Sequence, residues 1–121
     1  MLLPPIYQLL KASPAVTAIL GANPKVFRHG IAPQGTVAPY VAWMVIGSEP
    51  GNNLSELPNI DRLALQVDCY HASDAGIEQL AEAVRNALEP TMHLTSIPVD
   101  QREVDTQLYR IGLQFDDWFA R

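Results

Sequence analysis

The chain has 121 residues, 48% of them hydrophobic and 17% charged, with a net charge of −5 and a pI near 4.9. That is enough apolar material for one domain with one core, and it excludes a disordered chain. The negative charge disfavours direct phosphate binding, whose non-specific affinity comes from Lys and Arg, and one cysteine can form no internal disulfide, which is compatible with a reducing cytoplasm.

Ten prolines predict rigid connections and short elements. The opening MLLPPIYQLL is apolar, but it has no basic start and breaks at Lys11, unlike a targeting peptide. Pro5 to Lys11 predicts a short helix with Ile6, Leu9 and Leu10 inward. Ser13-Pro14 predicts a second start, with Ser13 as the cap, Val16, Ile19 and Leu20 inward and Gly21 at the end. Val26-Phe27-Arg28 is short and β-prone, an edge strand to which a neighbouring chain can add.

His29 to Pro39 reads as a loop. The uncharged run from Gly30 to Ser48 is densely apolar only over Tyr40 to Ile46, whereas a membrane helix needs ~20 mostly apolar residues. Tyr40 to Ile46 is apolar on both parities and predicts a strand covered on both faces. Gly47 to Asn59 is polar, rich in turn formers and long for a hairpin connection, the kind of loop that is functional or mobile.

From Arg62 to His71 the period is two. Leu63, Leu65, Val67 and Cys69 share one face, and Arg62, Gln66 and Asp68, with Ala64 and Tyr70, share the wet one. After Ser73 the period becomes helical: Ile77, Leu80, Ala81, Val84 and Leu88 form a stripe that docks on that strand, with a cap at Ser73 or Asp74 and a stop at Pro90. Met92 to Val99 predicts an edge strand, since it contains Pro98. Asp100 to Thr106 reads as a polar turn. The last strand runs from about Gln107 to Phe119, with Tyr109, Ile111, Leu113 and Phe115 on one face. The expected fold is α+β: a mixed or antiparallel sheet of four or five strands, with the helices on one face.

No nucleophile, phosphate-loop or metalloprotease motif is present, so no catalytic residue, cofactor or metal is assigned. Cys69 and His71 share a strand face, but Asp68 points the other way and zinc usually takes four ligands. They read as a core cysteine and a strand-end histidine. His29 and His93 read as loop histidines. Asp116 and Asp117 face opposite ways and cannot act as a carboxylate pair. Trp43 reads as core, whereas Trp118, on the polar parity, reads as an interface anchor.

Five segments together resemble the small tail-completion, or tail-terminator, proteins of long-tailed bacteriophages. They are PPIYQLLKASPAVTAILG, APQGTVAPYVAWMVI, LSELPNIDRLALQVDCYH, AEAVRNALEP and YRIGLQFDDWF. The resemblance implies a structural virion protein and no enzyme. It implies a homo-oligomeric ring, typically a hexamer, that caps the head-proximal end of the tail tube, ends tube polymerisation and offers a surface to the head connector. Its implied partners are its own copies, the tail-tube protein and head–tail connector proteins, with assembly in the host cytoplasm. DNA would only pass through the acidic lumen, and no membrane is involved. The expected contact residues are Val26, Phe27, Arg28, Glu49, Asn52, Asn53, Leu54, Glu56, Asp116, Asp117 and Trp118. The alternatives are another joining component, such as a head-completion or stopper protein, a minor tail protein, or a small ligand-binding domain or enzyme.

Overall fold

The computed structural model describes residues 3–50 and 60–120. The two proline-led starts form α1 (Ile6–Lys11) and α2 (Pro14–Leu20). Ser13 caps α2, accepting from the Val16 N–H at 3.4 Å, and Pro14 stands in the first turn where no N–H is needed. The strand β1 (Val26–Arg28) follows, then β2 (Tyr40–Pro50) and β3 (Ile60–His71). After α3 (Asp74–Leu88), the chain closes with β4 (His93–Arg102) and β5 (Tyr109–Ala120).

The strands form one mixed sheet in the order β1-β2-β3-β5-β4, with β1 parallel to β2 and the other pairs antiparallel. The period-two pattern decides which side of it is covered. Leu63, Leu65, Val67 and Cys69 of β3 and Ile111, Leu113 and Phe115 of β5 are buried in one cluster with Ile77, Leu80, Val84 and Leu88 of α3. Ile6, Leu10, Val16 and Leu20 of the two short helices join the same cluster. Hydrophobic burial therefore holds all three helices to one face.

Four expectations need correction. β2 does not stop at Ile46; it bulges between Val45 and Gly47 and pairs with β3 as far as Pro50, so Glu49 is a strand residue. Only Val41, Ala42 and Trp43 of its apolar run are buried, while Val45 and Ile46 are exposed, so the run is not covered on both faces along its length. β4 runs on to Arg102, since residues 99–102 pair with β5 through Gly112 to Tyr109. The supposed polar turn thus begins at residue 103. Finally, Asp68 is not on a wet surface: it is 2% exposed.

β4 is an edge strand, as Pro98 suggested, and its pairing with β5 slips twice, at Leu94/Ser96 and at Ser96/Val99. The three central strands outrun both edges. β1 reaches only Val41 to Trp43 of β2, and β4 begins at the partner of Asp116, so residues 117–120 of β5 pair with β3 alone. Among the described residues no helix is long and apolar enough to cross a membrane.

Candidate functional site

The sheet face turned away from the helices carries a polar and aromatic plate. Tyr40, Tyr70 and Arg110 stand side by side on β2, β3 and β5. The two tyrosine rings stack at 4.7 Å, and Phe27 meets Tyr40 edge-on at 6.2 Å. The Arg110 guanidinium lies 5.7 Å from the Tyr70 ring centre, and its Nη2 donates to Asp68 Oδ2 at 3.0 Å. Gln66 Nε2 donates to the other Asp68 oxygen at 2.9 Å. Glu103 adds a looser ion pair to Arg110 at 3.8 Å.

The register explains how a carboxylate is buried here without a covering layer. Asp68 faces Gly112, which has no side chain, so the carboxylate lies over that gap while Arg110 and Gln66 satisfy it. Burial pushes the Tyr70 phenol up to about 12, against the pull of Arg110. Burial and the Glu103 charge also raise Tyr40. Burial works against the Arg110 charge, but the hydrogen bond and charge of Asp68 outweigh it and raise the group overall. The plate is a fixed structural network, with no nucleophile beside a base.

The residues first read as possible chemistry are dispersed. Cys69 is fully buried on the helix side, and burial, helped by the Asp68 charge, pushes its thiol up. His71 supports the start of α3: its Nδ1 accepts from the Ser73 N–H at 3.0 Å, and its ring lies so close to Gly76 that a β-carbon there would sit 2.1 Å away. Ser73 Oγ accepts from the Gly76 N–H at 3.0 Å, which completes the cap. His29 follows β1 with a left-handed φ of 69°, and His93 begins β4 opposite Asp116. Among the described residues no group of three His, Cys, Asp or Glu could hold a metal.

The predicted contact residues fall into two groups. Val26, Phe27 and Arg28 form the β1 edge, where the Arg28 guanidinium lies 5.6 Å from the Trp43 ring. Glu49, Asp116, Asp117 and Trp118 gather at the overrunning end of the central strands. There Arg62 stands between Glu49 and Trp118 in register, and its Nη2 is 2.9 Å from Asp116 Oδ2. β5 is an interior strand, so Asp116 is not at a sheet edge; among the described residues of β5, the pairing with β4 stops at Asp116 and does not reach residues 117–120. Asn52, Asn53, Leu54 and Glu56 lie outside the described residues, as do the side chains of Glu49 and Trp118.

Sequence reasoning missed the Asp68–Arg110 pair and a groove beside α3. Both depend on which strands are neighbours, and one sequence gives no such pairing. The groove, of about 410 Å³, runs between the outer side of α3 and β4. Ala81, Ile97, Ile111 and Leu113 form its apolar floor, and Glu78, Glu82, Asp100 and the Arg85–Glu89 ion pair stand on its rim. Ile97 is half exposed there. At the other edge of the sheet, Ile31 and Val37 of the β1–β2 connection are each 72% exposed.

Residues 4–120 match the family described as Tail completion protein gp17. Among solved structures, the chain is similar to one from a virion of a native gene transfer agent particle. The TM-score is 0.71 at 16% identity, over 96% of this chain and 92% of that one, a likeness of fold. No curated protein matches the chain in sequence.

Proposed function

The chain belongs to the tail completion protein gp17 family, and from that membership we propose that it is a structural component of a phage-type tail. In this reading several copies, six by the family resemblance, form a ring on the head-proximal end of the tail tube. The ring ends tube growth and presents the surface on which the head connector docks. The tail-tube protein and the connector proteins are its partners, and its place is in the virion after assembly in the host cytoplasm. The observation that carries this reading is the family match over nearly the whole chain.

Physical features agree with it. The net charge of −5 suits a passage through which DNA slides without sticking. The overrunning ends of β2, β3 and β5 offer a projecting surface to the tube or the connector. The plate around Arg110 gives the subunit a rigid frame and no reactive group.

Imaging particles made without this gene tests the reading. Overlong tails unattached to heads are expected. Heads that leak DNA beside tails of normal length would instead assign the protein to the head side of the joint.

A further inference from the structure

The charges of this chain are sorted along its length. The first 48 residues hold Lys11, Lys25 and Arg28 and no carboxylate; all thirteen carboxylates and five arginines come from Glu49 onward. The first stretch is therefore +3 and the remainder −8 within a net charge of −5. The strand order turns this into a spatial polarity, because β1 is one edge of the sheet and β4 the other.

Each edge also carries the apolar counterpart of the other. On the basic edge, Lys25 Nζ donates to the Val37 carbonyl and holds that exposed side chain beside the cation. Arg28 is exposed on the same edge. The acidic edge has the α3–β4 groove, an apolar floor under a rim of Glu78, Glu82, Glu89 and Asp100, with one cation among them, Arg85, already paired with Glu89. One edge presents an exposed aliphatic side chain beside Lys25, with Arg28 farther along over the Trp43 ring, and the other an aliphatic hollow whose rim is net acidic.

We infer that the basic edge of one copy, Lys25, Arg28 and Val37, seats in the α3–β4 groove of the next copy. This rests on the ring reading above and supplies its subunit contact. The two surfaces are different patches at opposite edges, so the contact is heterologous and closes into a ring when the rotation allows. Charge complementarity fixes the order of the two faces and rejects like-on-like pairing. The contact weakens with added salt, since exposed charges are screened over about 8 Å at 0.15 M.

The test uses two charge-reversed proteins, K25E/R28E and E78K/E82K, with native mass spectrometry and electron microscopy on the free proteins and on tail tubes. Each variant alone meets like charge at every contact, and the concentration for half-assembly is expected to rise roughly tenfold or more. An equimolar mixture restores assembly, as alternating rings with an even number of copies. Val37→Asp, at an exposed position, is expected to keep the fold and lose the ring, and it decides the matter if a charge variant misfolds. Wild-type-like rings from either charge variant alone, or from Val37→Asp, would overturn the contact and leave the ring reading standing. So would a mixture that stays monomeric while the wild type forms rings. Variants that form normal rings but no longer bind tubes would give the groove to the tail-tube protein instead. A wild type that forms no ring even on tubes would remove the ring reading and this contact together.

Discussion

Gly112 stands opposite Asp68 on the neighbouring strand, and a β-carbon at Gly112 would come within 2.6 Å of the aspartate Oδ1 and 3.2 Å of Val99 Cβ. The aspartate cannot swing away freely, because Gln66 and Arg110 hold its two oxygens. Gly112→Ala should therefore destabilise the protein by about 1–3 kcal/mol, the usual cost of forcing atoms into a filled site. Urea unfolding of the variant checks this, and an unchanged midpoint would mean that the sheet yields at this point.

Arg110 Nη2 pairs with the buried Asp68 carboxylate at 3.0 Å. Arg110→Met leaves that charge without its partner, at an expected cost of about 2–4 kcal/mol. Asp68→Asn in the same chain should recover part of the loss, since an amide tolerates the site better than a lone carboxylate. A double-mutant cycle measures it. Additive losses would show that the two side chains do not depend on each other.

The tyrosine plate makes the fold sensitive to alkali. Tyr70 is held neutral by burial, up to about 12 against an ordinary 10.0. The unfolded chain ionises this phenol near its ordinary value, so the folded state's preference for the neutral form is fully present below pH 10 and is lost as pH rises through 12. Tyr70→Phe removes that dependence. Its deficit relative to the wild type should shrink between pH 9 and 12 in denaturant melts, whereas a constant gap would remove Tyr70 from the alkaline transition.

Leu65 is fully buried at the middle of β3, in one cluster with Val84 of α3. Leu65→Ala should cost about 2–4 kcal/mol by loss of transfer energy and by the cavity left behind. The thiol of Cys69, on the same face, gives an independent readout: it should react with a thiol reagent only on unfolding, and faster in Leu65→Ala than in the wild type. Equal reaction rates would place the two residues in separately opening parts of the core.

The strand–helix unit was legible because both its periods are expressed in strongly apolar residues. Leu63, Leu65, Val67 and Cys69 alternate, Ile77, Leu80, Val84 and Leu88 recur helically, and each set found the other. The edge positions of β1 and β4 were legible from shortness and from Pro98. The far face of the sheet was not. Asp68 looks like a solvated residue until β5 is laid beside β3 and brings Gly112 and Arg110 to it. The reach of β2 past Gly47 was hidden for a related reason: Gly-Ser-Glu-Pro resembles a turn, and only pairing with β3 makes it strand. Val26 to Arg28 announced a sheet edge, whereas the groove beside α3 is assembled from α3, β4 and β5 and has no local signature.

The two slips in β4, with Pro98 between Ser96 and Val99, leave that strand without the flat, evenly spaced row of amides that another strand could copy. β1, at the opposite margin, is three residues long. Neither margin invites open-ended β-stacking, the pathway by which exposed sheets grow into fibres. The folded subunit is thus poorly suited to start a polymer of this kind. Replacing Pro98 with a β-former such as Thr would weaken that protection, and the sign of it would be slow fibrillar aggregation from a fully folded subunit.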